Sequence, residues 1–192
     1  MDNPVSKFRS RWQEALYDSP LQQKSAVCVS TVNEDGFPVG RFVDLKSVGE
    51  DGFVFCTYLH SAKGKHIAHT PKVSMTVWWD DVGYQVRVVG TAQAIPDVAA
   101  DEFWVSRNRN AQLVTTAFDQ SEPMKSELDL ASRLEEVSAG LVGQVVPRPN
   151  NWGGYCVCPI SVEFLTFRDN RLHLRELFRR GNNSWVKQLL QP

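Results

Sequence analysis

The run "WGGYCVCPISVEFLTFRDNRLHLREL", Trp152 to Leu177, decides what kind of protein this is. It reads as two strands, "YCVCPISVEFLTF" and a second beginning "RLHLREL", joined through the turn "RDN". A further strand signal, "SWVKQLL", follows near the end of the chain. Lone hairpins are marginal in water, so these late strands need an earlier sheet to join. Upstream, "SAVCVSTV", "VGRFVDLKSV", "FVFCTYL", "KVSMTVWW" and "YQVRVVGTAQAI" are short strand signals, most of them separated by Asp-Gly-type turns. The expected fold is therefore mainly β with helices (α+β): a β-barrel that the late strands close, with helices outside.

The helices are legible from their spacing. Trp12, Ala15 and Leu16 recur at helical intervals in residues 4–18, before "DSP" ends the segment. "SAKGKHIAHTP" predicts a short helix that stops before Pro71. "PDVAADEFWVSRN", "NAQLVTTAF" and "SELDLASRLEEVSAG" predict a helical insertion over about 97–140, with Ser126 and Asp129 as a capping box and Gly140 as terminator. The C-terminal strands occupy about 153–190. Residues 1–192 are expected to form a single domain. No G-x-G-x-x-G or P-loop opens a helix after a strand, which argues against a Rossmann or P-loop fold.

Composition excludes several function classes. Of 192 residues, 42% are hydrophobic and 22% charged, and 21 Lys+Arg against 22 Asp+Glu give a net charge of −1. That balance does not suit a general nucleic-acid or membrane-surface binder. No apolar run reaches the roughly 18–20 residues of a membrane span, and the charged N-terminus lacks a signal-peptide core. The cytoplasm is the default expectation. Cys28, Cys56, Cys156 and Cys158 each lie in an apolar run, as buried thiols do, and no ligand spacing points to a metal.

Any basic pocket must then be local, and "RLHLR" is the candidate. On a strand, Arg171, His173 and Arg175 point to one side, roughly 6.5–7 Å apart, and Leu172 and Leu174 to the other. Two guanidiniums around an imidazole require an anion or open water in front of them. Taken alone, the pattern fits a solvated strand face.

The wider chain resembles the pyridoxamine 5'-phosphate oxidase family, with its FMN-binding split β-barrel. The resemblance runs in order through "GRFVDLK", "GFVFCTYLHSAKGKHIAHTPKVS", "YQVRVVGTA", "FWVSRNRNAQ", "QS", "VPRPNNWGGYCV", "VEF", "RLHLR" and "LLQP". It implies FMN as cofactor, hydride transfer from the amine or alcohol carbon of a B6 phosphate, and reoxidation by O2 with release of peroxide. It also implies a homodimer with FMN at the interface. Six Trp and ten Phe are consistent with an aromatic-rich interface, or equally with one core.

By the same resemblance, Arg171 and His173 carry the catalytic role and face the substrate, while Arg175 reaches the flavin. Arg41, Val43, Leu45 and Lys46 lie in "RFVDLK", where the family pattern is R-x-V-L-L-K and Asp44 departs from it. Strict alternation places Arg41 and Lys46 on opposite faces. Either a bulge intervenes or they serve different ligands, Lys46 being near substrate. Cys56 and Thr57 stand for a usual Tyr-Thr, and Lys63 follows Ala62 where an arginine is usual. Gln85, Gln120 and Ser121 match flavin contacts, and Leu165 replaces a Trp.

The substrate phosphate is expected from a Tyr, Arg and Ser spaced by four, here Phe103, Arg107 and Ala111. Leu174 and Leu189 replace an Asp and an Arg. The first expectation is thus an oxidase of pyridoxamine or pyridoxine 5'-phosphate with an altered phosphate pocket. The alternatives are an FMN oxidase of another anionic ring compound, such as a reduced phenazine-like carboxylate, and a flavin- or haem-binding protein without robust turnover.

Overall fold

The structure, a computed structural model, describes residues 3–182 and 184–192. The chain divides into two compact units, one of Met1–Phe55, His66–Gln93 and Tyr155–Pro192, the other of Cys56–Lys65 and Ala94–Gly154.

In the first unit, helix α1 spans Pro4–Asp18. The Asn3 side chain accepts from the Val5 and Ser6 amides, and Pro4 supplies a preset first helical residue. Val5, Phe8, Trp12 and Ala15 recur every three or four residues and form its buried face. Phe8 meets Phe53 edge-on at 4.8 Å and Trp79 at 5.5 Å between ring centroids.

The strands are β1 (Ala26–Val32), β2 (Pro38–Val48), β3 (Phe53–Tyr58), β4 (Lys72–Trp79), β5 (Tyr84–Ala94), β6 (Trp152–Thr166), β7 (Leu174–Arg180) and β8 (Trp185–Leu190). Helix α2, Ala62–His69, lies between β3 and β4. The sheet order is β3-β2-β1-β4-β5-β6-β7-β8, and an added β3–β6 pairing closes the first six into a barrel. The expected closure by late strands is therefore met by β6, with β7 and β8 continuing the sheet outward. Alternation fills the interior: Val27 and Val29 of β1, Met75 and Val77 of β4, and Val86 and Val88 of β5 are all buried.

Backbones pass close together where the barrel closes. A Cβ on Gly90 of β5 would stand 2.3 Å from the Cys158 carbonyl oxygen on β6. Gly52 combines φ +148° with a would-be Cβ 2.1 Å from the Val157 oxygen.

Two buried carboxylates tie the outer strands. Arg175 of β7 donates from Nε and Nη2 to Glu163 Oε1 on β6 at 2.9 and 2.8 Å, and Arg87 of β5 donates to Oε2. Burial would push the Glu163 carboxyl up, but the hydrogen bonds and charges of Arg175 and Arg87 hold it below the usual carboxylate range. Glu176 of β7 is bound likewise by Lys187 of β8 at 2.6 Å and by Lys7 of α1.

In the second unit, α3 (Asp97–Val105), α4 (Arg109–Ala117) and α5 (Leu128–Gly140) accompany a cluster of Tyr58, Trp104, Leu113, Val146 and Trp152. Trp104 and Trp152 meet at 5.0 Å, and the Trp104 indole donates to the Val146 carbonyl at 2.9 Å. Arg148 holds the loop after α5 through Asp101 at 2.6 Å and Asp97 at 3.0 Å.

Three sequence expectations are corrected. "RLHLR" is not a continuous strand: β7 begins at Leu174, and Arg171 is left-handed with φ 61°. Its reason is local, because Asn170 Oδ1 takes the Leu172 amide and His173 Nδ1 takes the Arg168 amide, prolonging the turn. Ser126 accepts from Leu128 instead of completing a reciprocal box with Asp129. The four cysteines are half-buried rather than buried. Burial and the neighbouring Cys158 push the Cys156 thiol up to about 12.

Gly90→Ala should destabilise the barrel by about 1–3 kcal/mol, lowering Tm by roughly 2–10 °C. Gly140→Ala, where nothing lies within 4 Å of the added carbon, should leave Tm unchanged or raise it. Glu163→Gln should weaken the fold at pH 7. Its carboxyl is depressed in the folded state, so the stabilisation is full above the unfolded value of about 4.3 and fades as pH falls through the folded one. Urea unfolding of both proteins should therefore show a gap at pH 7 that narrows below about pH 4.

Candidate functional site

In the second unit, a polar knot forms around Lys63. Its Nζ, in a residue only 6% exposed, donates to Gln120 Oε1 at 2.8 Å, Thr57 Oγ1 at 3.0 Å and Ser61 Oγ at 3.3 Å. Thr57 in turn donates to Gln120 Oε1 at 3.0 Å. The three contacts engage the ammonium's three protons, and the knot ties α2 to β3 and to the loop carrying Gln120.

The local sequence explains the assembly. Ser61 closes the turn after β3, donating to the Tyr58 carbonyl at 2.7 Å. Gly64 keeps α2 tight against that turn, since a Cβ there would lie 1.9 Å from the Leu59 oxygen. The Tyr58 hydroxyl donates to the Phe118 carbonyl at 2.8 Å and so anchors the loop carrying Gln120. Burial, Asp119 and an opposing Arg107 leave the Tyr58 phenol pushed up to about 12. Ser121, left-handed at φ 78°, accepts from the Ala62 amide at the start of α2.

A cavity of about 160 Å3 lies beside the knot, walled by His60, Ser61, Gln120 and Asn151 and by two carboxylate residues, Asp119 and Glu122; Lys63 and Thr57 do not line it. That is below the roughly 300 Å3 of a typical whole-ligand pocket. The larger groove, about 720 Å3 along α5 beside Ser132, Arg133 and Glu136, contains none of the residues assigned above.

Arg107, Ala111 and Phe103 do not share one helical face, because the helix breaks between α3 and α4. Asn108 caps α4 by accepting from the Ala111 amide at 2.8 Å. Arg107 turns inward, donating to Thr115 Oγ1 at 3.1 Å and the Ala111 carbonyl at 3.3 Å, with its guanidinium 5.2 Å from the Trp152 ring centroid. Phe103 and Cys56 pack against the apolar cluster.

The first unit holds the remaining residues. Arg41, Val43 and Leu45 lie on one side of β2, while Asp44 and Lys46 form an ion pair at 2.5 Å on the other. A register shift does occur between Leu45 and Ser47, with Lys46 as the extra residue. Arg41 reaches across to β1, donating to Thr31 Oγ1 at 2.7 Å. Gln85 is half-buried opposite Trp78, and Leu165 is half-buried opposite Arg175. Arg175 is occupied by Glu163 and by the Gln191 carbonyl at 3.1 Å. Arg171 is exposed, and the His173 ring meets Phe167 edge-on at 5.7 Å.

Sequence reasoning missed Ser61, Tyr58, Thr31, His66 and Glu163 as members of these networks. Thr31 carried one signal, a polar residue continuing the inward face of Val27 and Val29. Glu163 carried another, a carboxylate inside the apolar run "VEFL".

Comparisons with known proteins agree with this architecture. A family model described as pyridoxamine 5'-phosphate oxidase matches residues 14–139, and one described as pyridoxine 5'-phosphate oxidase C-terminal dimerisation region matches residues 152–192. A pyridoxine/pyridoxamine 5'-phosphate oxidase of Sphingopyxis alaskensis is 38% identical over 191 residues, covering 100% of this chain and 88% of that protein. One of Thermosynechococcus vestitus is 37% identical over 191 residues, covering 100% and 90%. PhzG from Burkholderia lata 383, solved in complex with tetrahydrophenazine-1-carboxylic acid, superposes with a TM-score of 0.92 at 26% identity, covering 100% and 94%. An FMN binding protein from Nostoc punctiforme gives a TM-score of 0.81 at 17% identity, covering 100% and 98%, and supports the fold alone. The fold is the split β-barrel flanked by helices, and the chain belongs to the pyridoxamine 5'-phosphate oxidase family.

Proposed function

We propose that this protein is an FMN-dependent oxidase of the pyridoxine/pyridoxamine 5'-phosphate oxidase type, acting in the cytoplasm as a homodimer. The observation that carries the reading is the knot of Lys63, Thr57 and Gln120, with Ser121 beside it. These are positions that the family resemblance assigns to the flavin, and they are gathered into one hydrogen-bonded cluster around a buried cation. When bound, FMN would supply the hydride acceptor and the route for electrons to O2. The homodimer is supported by the match of residues 152–192 to a dimerisation region.

The chain's own residues have binding and orienting roles in this proposal. The family resemblance assigns the cofactor to Lys63, Thr57, Gln120 and Ser121, and also to Arg41, Val43, Leu45, Cys56, Gln85, Leu165 and Arg175. Lys46, Arg107, Arg171 and His173 attract and orient the anionic substrate, with Phe103 and Ala111 shaping its pocket. Arg171 and His173 carry the catalytic role. We treat residues 1–192 as one functional domain.

Two observations favour a second reading on substrate. Asp44 partly neutralises Lys46, and Phe103 turns to the apolar cluster where the family pattern has a hydroxyl. A flat cyclic carboxylate needs fewer phosphate donors than a B6 phosphate does, and the Burkholderia lata PhzG was solved with such a compound.

Anaerobic addition of pyridoxamine 5'-phosphate to the FMN-loaded protein should bleach its yellow absorbance. A protein that stays yellow, yet bleaches with a reduced phenazine carboxylate, would replace the first substrate by the second. Lys63→Met should weaken FMN binding about ten- to a hundredfold, as losing a charged hydrogen bond of about 1.5–3 kcal/mol requires. Fluorescence titration of the apoprotein measures this, and unchanged affinity would remove Lys63 from the cofactor site.

A further inference from the structure

We infer that Thr31 and His66 are positioning residues for Arg41, fixing which edge of its guanidinium is offered to the cofactor. The inference rests on the proposed FMN-binding role and extends it to two residues that the family motifs did not single out.

The geometry begins with strand pairing. Arg41 of β2 lies opposite Val29 of β1, and its side chain runs along β1 toward Thr31. Nη1 donates to the Val29 carbonyl at 3.2 Å and to Thr31 Oγ1 at 2.7 Å. A guanidinium Nη carries two hydrogens, so both of this nitrogen's are committed. Among the described residues, Nε and Nη2 make no hydrogen bond. These two form the side-on edge of the fork, which matches two oxygens of a phosphate or one polar edge of a heterocycle.

The hydroxyl that fixes this orientation is itself fixed. Thr31 is 1% exposed, and its oxygen already accepts from Arg41. Its proton therefore needs a buried acceptor, and among the described residues His66 Nδ1 on α2, 2.9 Å away, is the one in reach. That assigns the His66 proton to Nε2. The result is a directed chain, Arg41 to Thr31 to His66, that links β2, β1 and α2.

Packing alone does not require this arrangement. Valine at position 31 would continue the inward pattern of Val27 and Val29 at nearly the same volume. A hydroxyl on that face brings a desolvation cost, offset where it anchors a cation. It makes sense where the cation's direction matters more than the core does.

The test is FMN titration of the apoprotein by fluorescence, alongside thermal unfolding. Thr31→Val should weaken FMN binding roughly tenfold while Tm falls little, and Thr31→Ser should restore affinity to within about twofold. In an Arg41→Met background, Thr31→Val should add no further loss. His66→Leu, which removes the acceptor from the far end, should weaken binding in the same direction and serves if Thr31→Val folds poorly. Wild-type affinity in both Thr31→Val and His66→Leu would overturn the inference while leaving the FMN reading intact. So would a full additional loss in the Arg41→Met background. A wild-type protein that takes up no FMN would overturn the functional reading and this inference together.

Discussion

Everything in the first unit depends on a long-range constraint: β6, far along the chain, must pair with β5 on one edge and β3 on the other. Until it does, the inward faces of the early strands have no lid and the barrel has open edges. Closure explains why Gly90 and Gly52 tolerate no side chain, since the β6 backbone occupies that space. It also explains the buried carboxylates. Glu163 enters the structure with β6 and ties it by charge to β5 and β7, and Glu176 on β7 does the same toward β8 and α1.

Most of this architecture could be read from residues. Period-two alternation in "SAVCVSTV" and "KVSMTVWW", and three- and four-residue spacing in the first helix, name their own elements. The misread segment was "RLHLR". Periodicity treats it as strand, but the amides of Leu172 and Arg168 are claimed by the side chains of Asn170 and His173. Side-chain capture of backbone donors is a geometric event that alternation cannot register. The division between "PDVAADEFWVSRN" and "NAQLVTTAF" was legible, but spacing by four from Phe103 through Arg107 to Ala111 ran across it, where Asn108 caps α4.

The site was legible as a set of cations and less so as an arrangement. The family resemblance pointed to Arg41, Lys46, Lys63, Arg107 and Arg175 but not to what each one touches. In the structure four of them are steered by a partner on another element: Thr31 for Arg41, Gln120 for Lys63, Thr115 for Arg107, Glu163 for Arg175. Such partners limit the rotamers that long side chains must give up on binding, so the groups are arranged beforehand. Pairing of this kind comes from topology, which no short motif encodes. Asp44 beside Lys46 is the exception, two residues away and visible in "RFVDLK".

The raised Cys156 thiol bears on the durability of a protein whose relatives are named as oxidases. Only the deprotonated sulfur reacts readily with oxidants, and near neutrality that form would be on the order of one copy in a hundred thousand. Cys156 is thereby kept chemically quiet without a disulfide.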